Sequence, residues 1–368
     1  MKEYLLDELA IRIHKLSEEI WGKDRAIMLI GKHPKLLETQ RRLIRYAQCE
    51  NPILITGESG VGKELFAKSI YLFSQRKGSP FISVNCAQYQ EPNMLISELF
   101  GHKKGSFTGA HENRNGIFME YNDGVIFLDE IGELSLKAQG MLLRVLSEGE
   151  IKPLGGNRVT YVNTQIIAAT NRNLKEMITS GEFREDLYYR LCQLRLDIPA
   201  LRERGDDWHI LLNYYLDELN RQQGTNKQFS SQALAYLQNY HWPGNIRELK
   251  SIINTGFFSS ESQYVIKPCD FISELQTDHQ TNITDDDVTK YFVEMQENGV
   301  CFWETVQKPY LDRELNRNQV RLIIQQGLQD SGGSYKRLLK IFNIPEFQYL
   351  KFMDFLRHHR LKPQNVII

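Results

Sequence analysis

PILITGESGVGKELFAKSIYLF (52–73) is the stretch on which the fold turns. PILIT is an apolar run of strand length, and ELFAKSIYLF continues as a helix. Between them GESGVGKE (57–64) spells G-x-x-x-x-G-K in the context that spacing needs, strand before and helix after. The glycines let backbone N–H groups curl around phosphate oxygens with no Cβ in the way. The helix that follows points its positive end at the same anion. Lys63 adds a mobile point charge for the β- and γ-phosphates of a nucleotide. The nucleotide-binding set is therefore Gly57, Glu58, Ser59, Gly60, Val61, Gly62, Lys63 and Glu64. A Gly-rich turn with no ligand is the competing reading, which strand, spacing and lysine together disfavour. Position 64 is Glu where many such turns place a hydroxyl on Mg2+, so the metal must lean on other oxygens.

VIFLDE (125–130) supplies them. An apolar strand ending in Asp-Glu delivers two carboxylates to the carboxyl edge of a sheet, where open α/β sheets bind their ligands. Asp129 is the candidate for Mg2+, directly or through water, and Glu130 for polarising an attacking water. An acidic strand end that merely caps the next helix is the bland alternative. FISVN (81–85) and TQIIAAT (164–170) are further strand-length apolar runs with helical stretches between them. Strands alternating with helices predict a parallel sheet covered on both faces.

The 368 residues suggest two or three domains. Lys+Arg number 45 against 46 Asp+Glu, so a chain-wide basic field is excluded and any nucleic-acid contact must be regional. No apolar run approaches the roughly 18 residues of a membrane span, and no secretory signal opens the chain. Five scattered cysteines without a CxxC favour a reducing cytoplasm over disulfides or zinc. Residues 1–24 read as one short amphipathic helix, too short for a sensory domain, so regulation is expected from a separate protein, assembly or expression level. An α/β subdomain is expected over 25–205, a helical subdomain over 206–275, a polar linker over 276–308 and a small all-α domain over 309–368. From Tyr310 onward ten Lys/Arg face five Asp/Glu.

ELFGHKKGSFTGA (98–110) closely resembles one family, the AAA+ activators of sigma-54 RNA polymerase, or bacterial enhancer-binding proteins. Their hallmark loop GAFTGA reads GSFTGA here, with Ser106 in place of alanine. GESGVGKE, VNC, FLDEIGEL, IIAATNRNL, FREDLYYRL, PALRERGDD and WPGNIRELK follow in the family's order over about 25–255. The resemblance implies a P-loop AAA+ fold with a helical lid, ATP hydrolysis with Mg2+, and remodelling of a closed promoter complex. It implies that Asn85 pairs with the catalytic glutamate in a nucleotide-dependent switch and that Thr170 and Asn171 form the first sensor. Arg184 and Arg190 match arginine fingers that reach a neighbour's γ-phosphate, and Arg247 matches the second sensor. A hexameric ring follows if those arginines act in trans. Surface ion pairs with Glu182, Glu185 or Asp186 are the bland reading of Arg184 and Arg190. The implied partners are sigma-54 RNA polymerase holoenzyme and promoter-upstream DNA, with no membrane.

The loop Gly105, Ser106, Phe107, Thr108, Gly109, Ala110 has a physical reading of its own. Glycines bracket Ser-Phe-Thr, so Phe107 is expected as an apolar ring offered to solvent and to a partner. GEIKPLGGNRVTYVNT (149–164) reads as a hairpin that works with this loop. Near the C-terminus SYKRLLKIFNIPEFQYLKFM (334–353) fits a helix-turn-helix of the Fis type, its second helix opening at Pro345-Glu346. Lys336, Arg337, Lys340 and Lys351 are candidates for phosphates and Gln348 for a base edge. A helical dimerisation or docking domain is the alternative there. FWETVQKPYLDRELNRNQ (302–319) is expected as a connector that packs against this module. Two other functions stay open, a DNA-binding regulator with a vestigial ATPase and an AAA+ remodeller of a different target.

Overall fold

The computed structural model describes residues 8–89, 91–107, 110–262, 264–275, 291–292, 295, 299–311, 315, 317–359 and 361. The chain divides into two compact units, Met1–Gln276 and Thr277–Ile368.

The first unit is built on five parallel strands: β1 (Ile53–Thr56), β2 (Phe81–Asn85), β3 (Val125–Asp129), β4 (Gln165–Thr170) and β5 (Leu194–Asp197). Their order is β2-β3-β4-β1-β5. The middle strands are apolar on both sides, and alternate residues serve opposite faces. Ile53, Ile55, Phe127 and Ile167 enter one core with Phe66 and Ile70, while Leu54, Ile126, Leu128 and Ala168 enter the other with Leu99 and Leu142. Helices α1 (Glu8–Trp21), α2 (Pro34–Ala47) and α3 (Lys63–Phe73) cover the first face, and α4 (Leu136–Glu148) and α5 (Glu185–Leu191) the second. Ile13 of α1 is fully buried there, so the N-terminal helix is a packing helix of this domain. Register sets Asn85 opposite Asp129 and Thr56 between Thr170 and Asp197, which gathers the polar strand ends at one edge.

Helices α6 (Asp207–Gln223), α7 (Ser231–Gln238) and α8 (Asn245–Ser259) form the lid around Trp208, Trp242, Leu249 and Phe257. Ser230 caps α7, and Gly224 (φ +65) ends α6 in the left-handed conformation. The insertion at 149–164 is the expected hairpin, with Glu150 opposite Tyr161 and Ile151 opposite Thr160.

The second unit holds α9 (Arg317–Asp330), α10 (Tyr335–Ile341) and α11 (Tyr349–His358). Its core reaches further back than the expected domain start at 309. Phe292, Met295, Phe302 and Val306 are buried with Val320, Leu338, Phe342 and Phe352. The front of the 302–319 stretch packs against the module as expected and enters its core, where Phe302 stacks on Phe342 at 5.1 Å between ring centres. Residues 276–290 of the expected linker lie outside the described residues. The second helix of the expected helix-turn-helix begins at Tyr349, and Pro345-Glu346 opens only a single 3-10 turn before it.

Phe302 meets Phe342, Phe352 and Phe355 and is fully buried. Phe302→Ala should cost about 3–5 kcal/mol in this unit. Hydrogen exchange on the full chain checks it: amides of α9–α11 lose protection while those of β1–β5 keep theirs.

Candidate functional site

The P-loop follows β1 and ends where α3 starts at Lys63. Gly60 (φ +79) and Gly62 (φ +98) occupy the left-handed region, where any side chain is strained. A Cβ on Gly60 would stand 2.2 Å from the Gly244 carbonyl oxygen, so this glycine is required by the lid as well as by the turn. Lys63 is 7% exposed. Its Nζ donates to the carbonyl oxygens of Gly57 (3.1 Å) and Glu58 (3.3 Å) and lies 3.7 Å from Glu130 Oε1. A cleft of about 280 Å3 opens beside it, lined by Ser59, Gly60, Gly62, Lys63 and Glu64 from the loop, Asp129 and Glu130 from β3, and Tyr215, Ile246, Arg247 and Lys250 from the lid. A larger groove of about 770 Å3 lies between α4, the hairpin and Arg184. Neither Lys63 nor the Asp-Glu pair lines it, so the chemistry sits in the smaller cleft.

Asp129 ends β3, and its Oδ1 accepts the Glu130 N–H at 3.0 Å. Burial and the neighbouring Glu130 carboxylate hold its carboxyl above the usual aspartate range, against the pull of Lys63. Glu130 adopts a left-handed backbone (φ +52), which turns the chain sharply after the strand. Its Oε2 accepts the Asn171 N–H at 3.3 Å. Thr170 Oγ1 accepts the Arg172 N–H at 3.0 Å, so the expected sensor strand end does meet the glutamate, through the backbone of Asn171. Asn85, expected to pair with that glutamate in a nucleotide-dependent switch, here accepts the Ala87 N–H through Oδ1 at 2.9 Å and caps the short turn after β2, while the described partners of the Glu130 side chain are Asn171 and Lys63.

The donor set suits one kind of metal. Among the described residues no three His, Cys, Asp or Glu side chains converge into a cage, and Glu64 is paired with Lys68 at 2.8 Å. Mg2+ keeps several waters and uses one or two carboxylates plus phosphate oxygens, so Asp129 beside a phosphate cradle fits it.

The lid supplies the rest. Arg247 Nη1 donates to Ser59 Oγ at 2.8 Å, which brings the expected second sensor onto the P-loop. Glu58 was placed among phosphate-binding residues, but its side chain faces away from the lysine. It forms a bidentate pair with Arg202 and accepts from Asn245 Nδ2 at 3.1 Å. Arg202, Asn245, Tyr215 and Lys250 are site residues that the sequence reading did not single out. A Pro-Gly-Asn turn two residues ahead of Arg247 was the available signal for Asn245. Lys250 stands 4.4 Å over the ring of Tyr215, one turn after Arg247.

Arg184 and Arg190 do not line the cleft. Arg184 makes the surface pair with Asp186 (2.7 and 3.0 Å), and Arg190 Nε donates to the Leu146 carbonyl at 3.1 Å. Phe107 is not simply offered to solvent: it is half-buried and packs edge-on against His102 at 5.1 Å. The Ser106 hydroxyl is buried without a hydrogen-bond partner among the described residues, its Cβ against Gly155 of the insertion. Gly105 N–H donates to the buried Ala110 at 2.8 Å, while Thr108 and Gly109 lie outside the described residues. The two insertions are joined by backbone, Lys103 N–H to Leu154 O (2.9 Å) and Leu154 N–H to Gly101 O (3.0 Å).

In the second unit Lys336, Arg337 and Lys340 are exposed on α10. Gln348 and Lys351 both engage Trp303. Gln348 Oε1 accepts the Trp303 indole N–H at 2.6 Å, and Lys351 Nζ sits 4.4 Å over the same ring. The exposed side chains beside them are Phe347 (84%) and Leu350 (73%).

The raised carboxyl of Asp129 carries a sign that can be tested. At neutral pH the folded protein holds this group ionised at a cost that the unfolded chain does not bear. Asp129→Asn should therefore raise the melting temperature modestly at pH 7, less than burial alone implies because the group is partly open to water. The gain should vanish as pH falls through the native pKa, where the wild type protonates; thermal melts across pH check it.

Residues 29–197 match the sigma-54 interaction domain, and residues 202–287 the AAA+ ATPase lid domain. Regulatory protein LuxO of Vibrio cholerae is 42% identical over 259 residues, 70% of this chain and 48% of that protein. The Nif-specific regulatory protein of Azotobacter vinelandii is 41% identical over 275 residues, 74% of this chain and 52% of its own. The anaerobic nitric oxide reductase transcription regulator NorR of Aliivibrio fischeri is 36% identical over 333 residues, 88% and 64%. The chain thus spans about half the length of the first two. The crystal structure of NtrX from Brucella abortus in complex with ATP superposes with a TM-score of 0.64 at 26% identity, over 94% of this chain and 72% of that one. With this sheet order, this P-loop and this lid, the chain belongs to the sigma-54-dependent AAA+ transcriptional activators.

Proposed function

We propose that this protein hydrolyses ATP in the cleft under the lid and uses the energy to remodel a closed complex of sigma-54 RNA polymerase holoenzyme. The observation that carries the reading is the placement of Lys63, Asp129 and Glu130 in one cleft of about 280 Å3 with Arg247 over it. Lys63 meets the charge of the terminal phosphates. Glu130, steadied by the Asn171 amide, orients the attacking water and accepts its proton. Asp129 would hold Mg2+, which supplies charge neutralisation on the phosphate oxygens. Arg184 and Arg190 stand away from their own cleft, which supports a role at a neighbour's nucleotide and hence a ring, by family a hexamer. ATP and ADP are bound by the related NtrX.

The GSFTGA loop is the contact to sigma-54 in this reading. Its backbone pairing to the 149–164 hairpin supports a joint movement of the two insertions. The second unit is proposed to hold the protein on promoter-upstream DNA, with Lys336, Arg337 and Lys340 toward phosphates. Because Trp303 engages Gln348 and Lys351, those two contribute to folding of the module rather than to readout. Among the described residues no helix is long and apolar enough to cross a membrane, and work in the cytoplasm is part of the same proposal.

Two measurements test it. Glu130→Gln should lower ATP turnover at least about 100-fold with nucleotide binding retained; equal turnover overturns the ATPase reading. Promoter melting with sigma-54 holoenzyme should fail for Phe107→Ala while its ATPase persists; melting at the wild-type level overturns the loop's role.

A further inference from the structure

The lid grips the P-loop residue by residue, and always from outside. Asn245 Nδ2 donates to Ser59 O (3.0 Å) and to Glu58 Oε2 (3.1 Å). The Ile246 N–H donates to Gly60 O at 3.1 Å, and Arg204 Nη2 to Val61 O at 3.4 Å. Arg247 holds Ser59 Oγ. Asn245 is fully buried, has a left-handed backbone (φ +54), and also accepts the Leu201 N–H at 2.8 Å. One carboxamide therefore joins the P-loop, the segment leading into the lid and the first turn of α8. Two residues later α8 presents Arg247.

The carboxylate that completes this junction is Glu58. It accepts from Asn245 on one side and from both terminal nitrogens of Arg202 on the other. A carboxylate on the rim of an anion site would repel a triphosphate if left alone; the Arg202 guanidinium neutralises it and holds its carboxylate in the pair's plane. The pKa of Glu58 is lowered by this hydrogen bond first, consistent with a carboxylate that stays ionised.

We infer that Glu58 is a positioning residue: clamped by Arg202, it fixes Asn245 and with it the register of α8, so that Arg247 meets the terminal phosphate. Glu58 touches no phosphate in this scheme and acts only through Arg247. The inference rests on the ATPase reading above. It places no new group in the chemical step, and a misplacement of about 1 Å is enough to cost an order of magnitude or more in rate.

The test is a double-mutant cycle on the full chain, with ATP turnover and the affinity for fluorescent ADP as readouts. Glu58→Gln should lower kcat about tenfold and leave ADP affinity within about threefold. Arg202→Ala, at a half-exposed position, should do the same, and serves should Glu58→Gln fold poorly by thermal melt. In an Arg247→Ala background either change should cost less than about twofold more, because the residue they position is gone. A wild-type kcat in both single variants, or the same tenfold loss with and without Arg247, overturns the inference. A wild type that binds nucleotide but never turns it over overturns the ATPase reading itself, which separates the two failures.

Discussion

The inner face of the turn at 57–62 must stay bare for an anion, and that constraint organises the first unit. A loop with bare N–H groups inside has to be held from the outside. The sheet holds one end at β1, and α3 holds the other. The rim between them is held by α8 and by the segment before α6. Gly60 marks the closeness of that grip, since even a methyl group would meet the Gly244 oxygen. Fixing donors before an anion arrives is how a site gains charge stabilisation without reorganising at the moment of reaction. In this protein the lid fixes the P-loop and also presents Arg247 to it, so both rest on one scaffold.

The sheet, the P-loop and the acidic strand end were legible because each is local. A strand buried on both faces is a continuous apolar run, a phosphate turn needs glycine, and a lysine at its end needs no partner to be noticed. The junction around Asn245 was not legible. It joins residues 58, 201 and 245, and no local pattern announces three segments that meet only in space. The contacts of Gln348 and Lys351 were hidden for a related reason. Each looks like a surface residue at the start of a helix, but Trp303, in a stretch that reads as a connector, folds back to engage both. Phe107 differed because His102, five positions earlier and tied by backbone to Arg114 and Leu154, offers its ring a wall.

Ser106 acquires a meaning from that packing. An alanine there would rest on Gly155 without loss. The serine rests there with its hydroxyl buried and with no hydrogen-bond partner among the described residues, and a buried hydroxyl left unpaired costs about 1–3 kcal/mol relative to a hydrated one. The backbone pairing of Lys103 with Leu154 does not involve that side chain, so the base of the loop keeps its hold on the hairpin.

Arg184 fits the proposed ring for an energetic reason beside the geometric one. Arg184 is already paired with Asp186, which looks at first like an arginine with no further task. Both partners are about half exposed, and an ion pair in high dielectric returns little beyond the entropy of holding two long side chains. In the proposed ring, a neighbour's phosphate, which carries more charge than Asp186, would be the stronger electrostatic partner for Arg184. On that proposal the exposed pair with Asp186 is weak enough for a nucleotide to displace.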